Sequence, residues 1–131
     1  MREIKFRVWD IIAKEYIDSR YVSIDGFGSL HIAKHIIEKC FRPPHSMKSP
    51  WFIVEQSTGL RDKTDVEIYE GDILALYHRD GSIVNLCQVF WNELDNEYDW
   101  KPVGEDSWSD LFSAFYDDYK VVGNVHECTF N

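Results

Sequence analysis

Long apolar runs are missing from this sequence, in which the longest, at residues 51–54 and 73–77, reach only four or five residues. A helix that crosses a bilayer needs roughly 20 apolar residues, so no membrane span is predicted. The first ten residues, MREIKFRVWD, alternate charged and apolar side chains. They lack the apolar segment of a secretion signal, and we therefore expect a cytoplasmic protein.

Cysteine is also scarce. Cys40, Cys87 and Cys128 are widely spaced, and no CxxC pair occurs. An odd number of separated cysteines fits reduced cytosolic thiols better than a disulfide framework, and zinc ribbons and fingers need paired cysteines. We expect three buried, inert thiols and no structural zinc site.

Motifs for phosphate binding and nucleophilic catalysis are absent. The GFG at residues 26–28 is too short for GxxxxGK[ST] or GxGxxG, and no GxSxG elbow occurs. A nucleophile also needs an adjacent base, and no local pattern couples one to a serine or cysteine. The sequence therefore predicts a protein that is not an enzyme and has no cofactor.

Basic residues are rare in the last third of the chain. Residues 1–92 hold 13 acids against 12 Lys and Arg, whereas residues 93–131 hold 10 acids against Lys101 and Lys120 alone. Nucleic-acid binding draws most of its affinity from cations that neutralise phosphates, so this distribution disfavours it. An acidic surface favours a basic partner, which we expect to be a protein.

What the sequence does contain is enough apolar material for one folded domain over residues 1–131. Hydrophobic residues make up 44% and aromatic residues 15% of the chain. The period-2 pattern of residues 4–8 predicts a strand, further strands are expected at 16–24 and 51–56, and Asp80-Gly81 predicts a hairpin turn between two longer strands. The expected fold is α+β, mainly β, around a small, strongly bent sheet.

Two short helices are predicted. Apolar residues three and four apart favour a helix over 29–41, capped by Ser29 and ended by the prolines at 43 and 44. His31 and His35 would share one face of it, but no third metal ligand follows the pattern, so solvated histidines are expected. Residues 92–106 are expected to be irregular. Helical spacing then predicts a second helix before a closing strand at 120–126, from Trp108, Leu111, Phe112, Phe115 and Tyr119.

The acids around Glu70-Gly71-Asp72 suggest either a cation loop or a corner of the sheet. The register of an EF-hand loop fails here, because the required Gly and the Glu that follows it do not fall at the right spacing. Glycine tolerates the backbone angles of a corner, and Asp accepts hydrogen bonds from nearby amides. We expect a structural corner.

Three segments resemble the YopX family of bacteriophage and prophage proteins. The run QSTGLRDKTDVEIYEGDILAL at 56–76 is similar to the family signature, and REIKFRVWD and YKVVGNVHE resemble its first and last strands. Thr64-Asp65 stands where the family usually has Asn-Gly, and the tail at 128–131 differs. The resemblance implies an SH3-like small barrel with N-terminal strands, one or two short helices and a bacterial cytoplasmic setting. It implies no activity and supplies no site residues.

The acidic, aromatic segment at 91–119 is the candidate functional region. Its aromatic residues are either core residues between surface acids or anchors of an interface. The interface interpretation selects Trp91, Tyr98, Trp100, Trp108, Tyr116, Asp117 and Asp118. Three functions stay open: a protein-interaction module for a host protein, a phage protein or a second copy; an acidic DNA mimic acting on a host nuclease or regulator; and, as a minor alternative, a nucleic-acid-binding barrel.

Overall fold

The computed structural model describes residues 5–42, 51–103 and 116–127. These ranges contain one α-helix, α1 (Lys34–Ile37), a 3-10 turn (Ser19–Tyr21) and the strands β1 (Phe6–Asp10), β2 (Glu15–Tyr16), β3 (Val22–Ile24), β4 (Leu30–Ile32), β5 (Phe52–Arg61), β6 (Glu67–Tyr69), β7 (Asp72–Tyr77), β8 (Ile83–Asn92), β9 (Glu97–Pro102) and β10 (Asp118–Asn124). None of the helical segments in these ranges has the length and apolarity to cross a membrane.

The described residues form two compact units. The N-terminal unit spans Lys5–Glu55, and the described part of the C-terminal unit consists of residues 56–103 and 116–127. The predicted class, a mainly β fold with a small curled sheet and very little helix, is confirmed. That the whole chain is one domain stays a prediction.

The C-terminal unit is an antiparallel sheet with the strand order β10-β7-β8-β9. Its central strand, β7, is buried from Asp72 to Leu76 because both of its faces are covered. The predicted hairpin between β7 and β8 is confirmed, and Gly81 supplies a φ of +90° in its turn. Asp80 closes the turn by accepting a hydrogen bond from the Ser82 amide at 2.8 Å.

The core of this unit comes from buried apolar residues of β6, β7 and β8. Its buried members are Ile68, Leu74, Leu76, Cys87 and Val89. Each fully buried aliphatic side chain contributes about 1.5–3 kcal/mol to folding, so this cluster accounts for much of the stability of the unit.

The corner predicted at Glu70-Gly71-Asp72 is confirmed. Gly71 has a φ of +82°, which an L-residue adopts only with strain, and its amide donates to the Val89 carbonyl. Asp72 is 2% exposed, and its carboxylate accepts a hydrogen bond from the Tyr69 amide at 2.8 Å. The acids of this stretch therefore include one that shapes the entrance to β7.

In the N-terminal unit, β1 pairs with β2 and β3 pairs with β4, each pair antiparallel. The single strand predicted over 16–24 is wrong, because a 3-10 turn separates β2 from β3. Asp18 starts that turn by accepting a hydrogen bond from the Arg20 amide. The predicted first strand is present as β1.

The helix predicted over residues 29–41 is also wrong over most of its length. Leu30–Ile32 is strand β4, and only Lys34–Ile37 is helical. Ser29 does not cap a helix, because its amide donates to the Asp25 carboxylate in the turn that joins β3 to β4. Residues 25–28 form a tight turn that pairs the following segment with β3, and this strand pairing replaces the helix that the apolar spacing predicted.

This change separates the two histidines. His31 lies on a strand with its Nε2 2.8 Å from Asp25 Oδ2, whereas His35 lies on α1 with its ring edge-on to Tyr21. They share no helix face. In the described part of the chain, no group of three or more His, Cys, Asp or Glu side chains is arranged to hold a metal ion.

Two further expectations change at the C-terminal end. Residues 97–102, expected to be irregular, form β9, which pairs with β8 across a turn that places Asn96 at a φ of +54°. Tyr119, expected on a helix, lies on β10. The other four residues of that predicted helix, among them Trp108, lie outside the described residues.

Candidate interaction site

Trp91, Tyr98 and Trp100 share one face of the β8–β9 hairpin. In its register Val89 pairs with Trp100, and Trp91 pairs with Tyr98. Because side chains alternate along a strand, the buried Val89 lies on the same face as all three rings. The face therefore runs from the core at Val89 to the surface at Trp91, which is 40% exposed.

An apolar groove of about 190 Å³ opens on this face. Its deep end is formed by Ile68 and Val89, which are buried, and its rim includes Leu60, which is 53% exposed. The remaining lining residues are Thr58, Tyr98, Asp99 and Trp100. Thr58 Oγ1 donates to the Ile68 carbonyl at 2.8 Å, so this hydroxyl is engaged within the wall of the groove.

A second pocket, the acidic pocket, has a volume of about 230 Å³ and is lined by Gln56, Glu70, Trp91 and Tyr98. Its two rings meet edge to face, with centroids 4.8 Å apart and planes at 73°. Glu70 Oε1 accepts a hydrogen bond from the backbone amide of Gln56 at 2.6 Å, which fixes the carboxylate in the pocket wall. Tyr98 borders both the groove and this pocket.

Another part of the predicted surface packs against the core. Trp100 packs edge-on against Tyr116 and Tyr119, with ring centroids 5.9 and 5.1 Å away. All three rings lie against the buried cluster, and burial raises the pKa of the Tyr116 hydroxyl. Trp100 therefore packs against the core and also forms a wall of the groove, whereas Tyr116 packs against the core.

The two acids of the predicted site lie at the start of β10. Asp117 and Asp118 are exposed, and the Asp117 carboxylate accepts a hydrogen bond from the Arg79 amide at 2.7 Å. Neither lines the groove or the acidic pocket. Of the six predicted residues that the structure describes, three line these cavities: Trp91, Tyr98 and Trp100.

Sequence reasoning missed the other half of the site. Leu60, Ile68 and Glu70 come from β5, β6 and the corner after β6, far from the aromatic segment along the chain. Thr58 and Leu60 lie two positions apart on one strand and therefore share a face, and this spacing is the one local signal for this half of the site. Their meeting with Tyr98 depends on strand packing, which local patterns do not encode.

The C-terminal unit is strongly acidic. Among its described residues Asp and Glu number 13 against five Lys and Arg, whereas the described N-terminal unit holds six acids and seven Lys and Arg. The acidic character expected of residues 93–131 therefore extends over the whole described unit. A surface potential of this sign attracts cationic partners and repels phosphate backbones.

The two described thiols differ in burial. Cys87 is fully buried, and desolvation raises its pKa to about 12, so it stays protonated at neutral pH. Cys40 is only half-buried, in contrast to the expectation, and Cys128 lies outside the described residues.

The site offers shape, aromatic surface and negative charge, which are the properties of a binding surface.

Comparisons with known proteins show the family of this chain and its fold. The crystal structure of protein EF1440 from Enterococcus faecalis is similar, with a TM-score of 0.54, 23% identity, and coverage of 97% of this chain and 96% of that one. Protein yopX from Bacillus subtilis has a TM-score of 0.49 and 20% identity, covering 98% and 96%. No curated protein matches. The profile of the YopX protein family matches residues 5–129, and the chain therefore belongs to the YopX family.

Proposed function

We propose that this chain is a non-catalytic protein-interaction module that binds a basic protein through the acidic, aromatic face of its C-terminal unit. The observation that supports this function is the apolar groove opening beside the acidic pocket on one sheet face. Aromatic anchors in desolvated pockets supply most interface energy, and surrounding acids accelerate association with a cationic partner.

The size of the groove favours a protein partner over a small molecule. Sites for small molecules and cofactors usually have volumes of about 300–1,000 Å³. The groove has about 190 Å³, which suits one apolar side chain from a partner. A bacterial cytoplasmic setting with a phage or prophage origin is part of the proposal.

A DNA mimic is the alternative, and the excess of acids in the C-terminal unit favours it. In that case the acidic surface would occupy the DNA groove of a host nuclease or regulator, and the apolar groove would contribute nothing. Direct nucleic-acid binding is the weakest candidate, since 13 acids face five Lys and Arg in the described unit.

The test uses immobilised chain to capture proteins from a bacterial lysate, followed by identification and affinity measurement with the purified partner. Leu60→Asp places a charge on the rim of the groove. The matched control is Leu94→Asp, since Leu94 is 96% exposed and lies in the β8–β9 turn outside both cavities. We expect the first variant to weaken binding at least about tenfold, and the control to bind normally.

Salt and duplex DNA separate the two functions. Binding to the module should weaken moderately with added salt and should not change when DNA is added. A partner that DNA displaces, and that binds Leu60→Asp as well as the parent chain, identifies a mimic. Capture of no basic protein by the parent chain contradicts both functions.

A further inference from the structure

The turn between β3 and β4 carries a phenylalanine at its tip. Phe27 is 97% exposed, so its ring lies almost entirely in water. Aromatic rings contribute strongly to cores and interfaces when they are buried. A ring left in water adds nothing of this kind to its own fold, and it is therefore available to a second molecule.

Asp25 holds this tip in one conformation. Its Oδ1 accepts hydrogen bonds from the amides of Phe27 and Ser29, at 2.8 and 3.1 Å, and its Oδ2 lies 2.8 Å from His31 Nε2. The backbone of Asp25 adds two bonds of 3.0 Å, one to the Ser29 carbonyl and one from the Gly28 amide. Because the backbone is fixed on both sides of the ring, burying the ring in a partner costs little ordering of the turn.

The residues beside the ring leave space for the walls of a binding site. A Cβ atom added at Gly26 or Gly28 would have no heavy atom of the described chain within 4 Å, apart from the neighbouring residues. The tip therefore projects as a single ring with bare backbone on either side.

The apolar groove of the C-terminal unit matches such a ring in size and lining. An engineered apolar cavity of about 150 Å³ binds benzene, and the groove has about 190 Å³. Its apolar walls come from Leu60, Ile68, Val89 and Trp100. Trp100 adds an aromatic surface, and aromatic pairs favour edge-to-face packing.

Charge decides which surfaces of two copies meet. The chain has a net charge of −9, so two copies repel each other through their acidic faces. The described N-terminal unit, which carries Phe27, holds six acids and seven Lys and Arg, whereas the described C-terminal unit holds 13 acids and five Lys and Arg. A head-to-tail contact places the slightly cationic unit of one copy against the acidic unit of the next.

We propose that Phe27 of one copy inserts into the apolar groove of a second copy, so that the chain associates head to tail. This assignment rests on the part of the proposed function that makes the groove a protein-binding site. The two copies contribute different surfaces, so each pair retains one tip and one groove, and further copies add unless the assembly closes into a ring. A basic partner that uses the groove competes with this self-association.

The test is sedimentation velocity of the full chain over a series of concentrations. We expect the parent chain to associate as its concentration rises. Phe27→Ser and Leu60→Asp should each weaken the association at least about tenfold, because each removes one half of the contact. Phe41→Ser is the matched control, since Phe41 is 90% exposed in the same unit, and it should associate like the parent chain.

A mixture of the two variants separates a lost contact from a lost fold. Phe27→Ser retains the groove, and Leu60→Asp retains the tip. An equimolar mixture should therefore form a heterodimer, although neither variant associates with itself. Assembly should stop at two copies, because the heterodimer has no second pair of an intact tip and an intact groove.

A parent chain that stays monomeric throughout the series, association of Phe27→Ser equal to that of the parent, or a mixture without heterodimer would each overturn the assignment. Partner capture keeps this failure distinct from failure of the interaction function. A captured partner that needs Leu60, with a parent chain that stays monomeric, leaves the module intact and removes Phe27 as an occupant of the groove. Association through Phe27 without capture of a basic protein supports the assignment and removes the basic partner.

Discussion

The buried Asp10–Arg42 pair gives the sharpest stability prediction. The side chains of Arg42 and Asp10 are 3% and 1% exposed. Arg42 donates two hydrogen bonds to Asp10, each at 2.8 Å, and two more to the carbonyls of Ile36 and Ile37. Arg42→Ala would leave a buried carboxylate without its cation and two carbonyls without this donor.

Removing one partner of a buried pair usually costs about 3–5 kcal/mol. The lower end is expected here, about 3 kcal/mol, because Asp10 also accepts hydrogen bonds from the amides of Ile12 and Ala13. Since domains are stable by about 5–15 kcal/mol, the variant should fold but unfold at clearly lower urea concentration.

Arg20→Ala is the matched control. Arg20 also forms two hydrogen bonds with an aspartate, Asp18, and lies 5.3 Å from the centre of a tyrosine ring. Its side chain is 74% exposed, however, and water replaces an exposed pair at little cost. Its unfolding curve should match that of the parent chain.

A pH series separates the lost charge pair from simple loss of packing. Burial raises the pKa of Asp10, but the Arg42 hydrogen bonds and charge, with the two amides, bring it below its ordinary value of 3.8. The pair therefore contributes above pH 3.8, and this contribution is lost as the pH falls through the folded pKa. The difference between Arg42→Ala and the parent chain should shrink below pH 4. A difference no larger than that of Arg20→Ala, or one independent of pH, would refute the reasoning.

Two other predictions concern the C-terminal unit. Burial raises the pKa of Asp62, but the amides of Val121, Val66 and Thr64 lower it below 3.8, so its contribution should be lost in acid. Asp62→Asn should lower the free energy of unfolding by about 1–3 kcal/mol at pH 7. It should also reduce the loss of stability between neutral and acid pH, and an unchanged pH dependence would contradict this prediction. A variant that retains only Cys87 should react with a thiol reagent only after unfolding, because Cys87 is buried. A variant that retains only Cys40 should react in the folded state. Fast reaction of Cys87 in the folded protein would contradict its burial.

Local turn chemistry made much of the sheet predictable from the sequence. Asp80-Gly81 and Gly71 require particular backbone angles, and the turn and the corner predicted at these positions are confirmed. The helix predicted over 29–41 is wrong because Leu30–Ile32 pairs with Val22–Ile24 across the turn at 25–28. Long-range pairing decided the state of that segment.

The candidate site was half predictable for the same reason. Trp91 and Tyr98 are close in sequence, and their residue types were the reason for predicting them as interface anchors. Glu70 and Leu60 reach the same face only through the packing of separate strands. No local pattern connects an acid in a corner to an aromatic residue 21 positions later, so the acidic pocket became visible only in three dimensions.

The position of Tyr98 between the two cavities has a consequence for selectivity. Once one side chain of a partner is seated, its neighbour meets the second cavity at a high effective concentration, set by the few bonds that join them. Free amino acids, or two residues far apart on a partner, would not gain this advantage. Under the proposed function, a partner that fills both cavities from one segment would therefore bind more tightly than an equally basic protein that fills only one.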